Sequence, residues 1–177
     1  MRDSREQAKQ VLCLILAAAG GKLNKKVALY KAFYFAHLYY WKNSEGMLTD
    51  YPIVKMPQGP GIDEGTALLH ELAAEGKIIV AKEACGPYSE DVYTLTENYP
   101  FDRNGPRFQA VEAAVEFIKG KSAAELSEIT HEYSRTWQNA NVGEELSIYL
   151  DLLDDDDYLA IQTRLRETEE MVNRVFA

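Results

Sequence analysis

The histidines are the first residues whose spacing can be tested against known chemistry. His70-Glu71 and His131-Glu132 each match the start of the H-E-x-x-H zinc-protease pattern. That pattern needs a second histidine one helical turn later, and neither segment has one. The sequence therefore predicts no zinc site. An enzyme whose site combines His37, His131 and carboxylates stays open as an alternative, because such groups meet in space rather than in sequence.

A glycine-rich step suggests phosphate binding at first sight. Gly59-Pro60-Gly61 is followed by Gly65, but Glu64 occupies the position where the G-x-G-x-x-G pattern needs glycine. A carboxylate there would repel a phosphate. The acidic run Asp154–Asp157 is interpreted as the solvated start of a helix, where negative charge complements the helix dipole. The sequence predicts no cofactor and no metal, and because none of these motifs is complete it favours a protein that is not an enzyme.

Charge and cysteine content restrict the class of protein. The 177 residues carry a net charge of −9, with 16 acidic against 8 basic residues from Phe101 onward. This balance argues against phosphate-dominated nucleic-acid binding, and it favours a basic partner or an acidic, soluble surface. Cys13 and Cys85 form no C-x-x-C pattern. The longest apolar run, Val11–Ala19, is too short to span a membrane, so we expect a cytoplasmic protein.

Hydrophobic periodicity predicts the elements that carry these residues. Apolar stripes predict seven helices, at about 5–19, 24–42, 62–75, 107–119, 122–133, 144–153 and 155–176. Alternating patterns predict strands at about 51–56, 77–82 and 91–96, the last two forming a hairpin. The predicted fold is mainly α with a small β-hairpin, in a single domain of residues 1–177. A winged-helix-like part at 1–98 precedes a helical part at 106–177, and Asn98–Gly105 is the candidate linker.

The second helix is aromatic and apolar around most of its circumference. Such a helix is buried in the core or covered by a partner. Tyr39, Tyr40 and Trp41 exceed what one core can bury, and Tyr and Trp are enriched at interface hot spots. These three residues are therefore candidates for partner contact.

The winged-helix order raises DNA binding as an alternative function. The helix that would enter the major groove, Ile62–Glu75, contains four acidic residues and no Lys or Arg. The basic cluster consists of Lys22, Lys25, Lys26 and Lys31. A groove-reading helix needs donors to phosphates and bases, so nucleic acid is disfavoured. The alternative is a winged-helix transcriptional regulator of a mobile element or phage.

Three ordered motifs resemble a known family. They are the Leu29–Ala36 segment, the Gly59-Pro60 step, and Leu126-Ser127 followed by Thr130-His131 and Trp137. Together they are similar to the SocA-like antitoxin domain, also called Panacea. The resemblance covers roughly residues 23–137.

The resemblance implies a protein-binding function. Family members neutralise a cognate toxin by direct binding or as adaptors for proteolysis, and many are encoded by mobile elements and prophages. The expected partners are a cognate protein toxin and a protease such as ClpXP, and an oligomer is compatible with this role. The predicted partner-binding residues are Tyr34, His37, Tyr40, Trp41, His131 and Trp137. The alternative is that Tyr34 and Trp137 belong to the core and that His131 bonds a buried carbonyl.

Overall fold

The computed structural model describes residues 2–44, 46–96 and 100–176, with the side chains of residues 2, 3, 169, 172, 175 and 176 left aside. The α-helices are α1 (Arg2–Ala18), α2 (Lys26–Asn43), α3 (Gly65–Ala74), α4 (Pro106–Ile118), α5 (Ala123–Tyr133), α6 (Arg135–Asn139) and α7 (Asp155–Phe176). The strands are β1 (Lys22–Asn24), β2 (Ile53–Met56), β3 (Gly59–Ile62), β4 (Ile78–Cys85) and β5 (Tyr88–Leu95). A 3-10 helix covers Ile148–Leu152.

Helix α2 is the centre of the fold, as its apolar circumference predicts. Leu29, Ala32, Phe33 and Ala36 have no exposed surface. Helix α4 lies along α2, and the rings of Phe35 and Phe117 meet at 4.6 Å. Because helices α1, α2 and α4 all contribute to one buried cluster, the predicted parts 1–98 and 106–177 share a core.

The strands form two small antiparallel sheets. The first has the order β1-β5-β4, and the second is the β2–β3 hairpin. The hairpin predicted from segments 77–82 and 91–96 is confirmed as β4–β5, with Cys85 opposite Tyr88 at its end. The fold class, mainly α with small β elements, is also confirmed.

Two strands were missed at the sequence level. β1 is only three residues long and pairs with β5, so its alternation is too short to detect. β3 was not predicted either, because Gly59-Pro60-Gly61 has no strand-forming residues, yet Gly59–Ile62 pairs with β2, with Pro60 opposite Lys55. A two-stranded hairpin tolerates a proline without an N–H because its outer edge needs no ladder hydrogen bond.

The C-terminal end of the chain lies outside this core. The guanidinium of Arg135 lies 4.4 Å from the ring centre of Tyr158 near the start of α7. Leu159, Leu165 and Met171 are exposed along the helix. The predicted linker 98–105 begins outside the described residues, which resume at Pro100. Among the described helices, none is long and apolar enough to cross a membrane.

Candidate partner-binding site

A buried lysine lies where three separate segments meet. Lys31 of α2 is 1 % exposed, and its ammonium donates a hydrogen bond to the carbonyl oxygen of Pro60 at 3.2 Å. No carboxylate forms an ion pair with Lys31 in the part of the chain that the structure describes. Burial therefore lowers the pKa of Lys31 from 10.5 to about 7, because the charged form loses its hydration.

Gly59 leaves the room that this lysine occupies. Its φ of 102° lies in the left-handed region that favours glycine. A Cβ at this position would lie 2.2 Å from Lys31 Nζ and 2.4 Å from Thr130 Oγ1. The Thr130 hydroxyl is held in place by the carbonyl of Leu126 at 3.1 Å. The glycine is thus required both by backbone conformation and by the close approach of two side chains.

An aromatic stack adjoins this contact. The rings of His131 and Trp137 lie 3.9 Å apart and nearly parallel, at 10°. The indole N–H of Trp137 donates to the carbonyl of Met56 at 2.9 Å, and Lys55 Nζ lies 4.4 Å from the Trp137 ring centre. Burial, and then the positive charge of Lys31, lower the pKa of His131. His131 Nε2 is buried without a hydrogen-bond partner among the described residues.

A cleft of about 430 Å³ opens over Lys31 between α2, the β2–β3 hairpin and the start of α3. Its polar lining includes Lys26, Gln58 and Thr66, with Lys26 Nζ donating to Thr66 Oγ1 at 3.2 Å. No Asp or Glu is among the described residues that line it. The cleft is therefore positively charged in a chain whose net charge is −9.

Tyr34 takes part in a second polar cluster, centred on Asp151. The Tyr34 hydroxyl donates to Asp151 Oδ2 at 2.9 Å, and Ser134 Oγ donates to the same oxygen at 2.7 Å. The backbone N–H of Thr136 donates to Asp151 Oδ1 at 2.9 Å. Charge-assisted bonds of this kind are among the stronger ones, and here they join α2, the α5–α6 junction and the 3-10 helix. Burial raises the pKa of Tyr34 above its ordinary value, and the nearby charge of Asp151 adds to this.

His37 is likewise part of the interior. It is 1 % exposed, its Nδ1 lies 2.8 Å from the carbonyl of Phe33, and its Nε2 lies 3.0 Å from Thr49 Oγ1. Burial lowers the pKa of His37 to about 4, so the ring is neutral at pH 7. His37 and His131 contact different residues, and neither forms a hydrogen bond with a carboxylate among the described residues.

Of the six predicted partner-binding residues, the structure places two at the surface end of α2. Trp41 is 41 % exposed, and its ring lies 4.4 Å from that of Tyr149. Tyr40 is half-buried and lines a cleft formed with residues 100–108. Tyr34 is 2 % exposed, so Tyr34 and His37 offer no surface to a partner in this conformation. His131 and Trp137 contact each other, whereas the ring of Trp41 contacts Tyr149.

From the sequence alone Lys31 was one member of the basic cluster, and its burial was not predicted. The available signal was a single Lys within the apolar segment Val27–Trp41. A charged residue surrounded along the helix by apolar residues is expected to be buried next to a polar partner, or to lie at a gap in the packing. The structure places it at the base of the cleft.

The chain matches the family model of the antitoxin SocA-like, Panacea domain over residues 29–138. This span is more than half of the sequence and contains Lys31, Gly59, Pro60, His131 and Trp137. The chain belongs to the SocA-like antitoxin (Panacea) family. No curated protein and no solved structure matches it.

Proposed function

We propose that this protein neutralises a cognate protein toxin in the cytoplasm, either by binding it directly or by delivering it to a protease such as ClpXP. The family match over residues 29–138 carries this proposal. The surface of α2 supports it, because Trp41 is exposed and packs against Tyr149, and tryptophan and tyrosine are enriched at interface hot spots. In this proposal the winged-helix-like part, which contains α2, serves as a scaffold for protein contact rather than as a DNA-binding unit.

A binding function without a catalytic step is consistent with the states of two reactive groups, Cys13 and His37. The thiol of Cys13 is buried, and burial raises its pKa to about 11, so it is not a thiolate at neutral pH. Both ring nitrogens of His37 already have partners. Neither group is free to act as a nucleophile or base.

The DNA-binding alternative has less support from the basic cluster. Lys22 Nζ lies 2.7 Å from Glu83, and Lys25 Nζ lies 3.4 Å from Glu90. Lys31 is buried, which leaves Lys26 as the exposed lysine of this cluster without an ion pair among the described residues. One such cation provides little of the phosphate neutralisation that DNA binding needs.

Co-expression with the product of the neighbouring gene tests the proposal. We expect that protein to arrest growth when it is expressed alone, and to co-purify with this chain when growth is restored. Trp41→Ala should weaken the complex by about tenfold or more, since truncating a hot-spot aromatic costs 2 kcal/mol or more. Tyr88→Ala is the matched control, because Tyr88 is 79 % exposed on the β4–β5 hairpin and has no ring contact among the described residues.

The growth and co-purification results test the antitoxin role. If the neighbouring gene's product is harmless and does not co-purify, the antitoxin role is contradicted. Toxin half-life in cells with and without ClpXP distinguishes the mechanisms, because direct neutralisation leaves toxin levels unchanged whereas delivery to the protease lowers them. Circular dichroism of each variant shows that lost binding is not lost folding.

A further inference from the structure

The buried Lys31 at the cleft has no counter-ion among the described residues. Its ammonium has three N–H donors, and the Pro60 carbonyl accepts one of them. The charged form is costly without a counter-ion, so the amine is partly neutral at neutral pH, and a carboxylate entering the cleft would supply the missing charge and favour the ammonium. Two other lysines are balanced within the chain, since Lys9 and Lys77 both pair with Glu75.

No carboxylate lines the cleft in the part of the chain that the structure describes. The carboxylate of Glu64, two residues after the hairpin, is bound by Arg5 at 2.8 Å instead. The described cleft lining carries lysines and neutral residues only. Lys26 at the exposed edge adds a second cation next to Thr66.

The cleft also has the size and donors for a charged side chain. Its volume of about 430 Å³ admits a group of several heavy atoms. Lys31 lies at the base, while Lys26 and Gln58 offer N–H donors nearer to solvent. An anion entering this cleft would meet cations at two depths, and a dehydrated ion pair of this kind fixes the register of an interface.

We propose that this cleft is a carboxylate-binding site that receives an Asp or Glu side chain of the protein partner. The inference rests on the proposed function, because the carboxylate belongs to the neutralised protein. It names a chemical requirement for that partner, namely an acidic side chain projecting from its contact surface. The site is separate from the Trp41–Tyr149 surface and would act beside it.

A titration with acetate tests the cleft without any partner. Acetate is the probe, and the protein is labelled with ¹³C at lysine. At constant pH and ionic strength, acetate should shift the Lys31 Cε resonance saturably, whereas chloride should not. The exposed Lys119 serves as the internal control and should not show a saturable shift. If Lys31 does not respond, or if every lysine responds alike, the carboxylate site is refuted.

A double-mutant cycle with the co-purifying protein tests the source of the carboxylate. Lys31→Met and Lys26→Met should each weaken binding, Lys31→Met by tenfold or more, while Lys119→Met changes it less than twofold. One Asp→Asn or Glu→Gln change in the partner should weaken binding to the wild type by tenfold or more and to Lys31→Met by less than threefold. Such coupling identifies the inserted side chain.

The outcomes keep the two proposals apart. Equal partner affinity of wild type and Lys31→Met would overturn the carboxylate inference and leave the antitoxin role standing, even if acetate binds. A saturable acetate shift together with no partner binding would refute the antitoxin role and leave a site for free carboxylates. Lys26→Met guards against a folding artefact, because Lys26 is exposed and its loss does not alter the core.

Discussion

Replacing Lys31 with methionine should stabilise this fold at neutral pH. Folding lowers the pKa of Lys31 from 10.5 to about 7, which corresponds to a cost of about 5 kcal/mol at roughly 1.36 kcal/mol per pH unit. Methionine fills a similar volume without charge but loses the hydrogen bond to Pro60, worth about 1–3 kcal/mol. We therefore expect a net gain of about 2–4 kcal/mol, as found when buried charges are replaced by apolar groups.

The pH dependence makes this prediction specific. The folded pKa of Lys31 is lower than the unfolded one, so the penalty is fully present below about pH 7 and fades as the pH rises toward 10.5. The stability difference between Lys31→Met and wild type should thus shrink between pH 7 and pH 9.5. Other titrating groups affect both proteins equally and cancel in the difference.

Urea unfolding monitored by circular dichroism at the two pH values measures this difference. Lys119→Met is the control, because Lys119 is exposed with only an i,i+3 partner, and it should change stability by less than about 0.5 kcal/mol. A methionine variant that is less stable than wild type at pH 7, or a difference that does not change with pH, would refute the reasoning that Lys31 is buried without a counter-ion.

Three further predictions concern the residues around this site. Gly59→Ala should destabilise the fold by about 3 kcal/mol, whereas Gly86→Ala at the open hairpin tip should cost only about 1 kcal/mol. Equal urea midpoints for the two variants would contradict the close approach of Lys31 and Thr130 to Gly59. Asp151→Asn should cost about 2 kcal/mol in the same assay, since the donors of Tyr34, Ser134 and Thr136 lose a charged acceptor, and an unchanged midpoint would show that the cluster is solvated. His37 should titrate near pH 4 by NMR, and a titration midpoint above pH 6 would contradict its burial. The free energy of unfolding should fall by up to about 3 kcal/mol as the pH drops from 6.5 to 4, because the unfolded chain takes up the imidazole proton at a higher pH than the folded protein does.

Local signals in the sequence were sufficient for most of the longer elements, whereas the helix predicted at 144–153 is a 3-10 helix of Ile148–Leu152. The apolar stripe of α1 and the alternating β4–β5 hairpin were predictable because their periods are set by backbone geometry. The Ser122–Glu125 capping box at the start of α5 is local in the same way, since its two hydrogen bonds join residues three apart. Bounds shifted by one to three residues, as at α3, which begins at Gly65 rather than near Ile62.

The site, in contrast, was decided by tertiary structure. Lys31 and Pro60 are 29 positions apart in the sequence, and Thr130 lies much farther along the chain. No local pattern therefore places these residues in contact. The sequence by itself established an aromatic central helix, an acidic C-terminal part and an ordered set of family motifs. Which side chains of that helix face the core was set by the packing of α4 and the β2–β3 hairpin upon it. For that reason His37 became an interior hydrogen-bonding group, Trp41 stayed at the surface, and a lysine that looked like one of four surface cations became the base of a charged cleft.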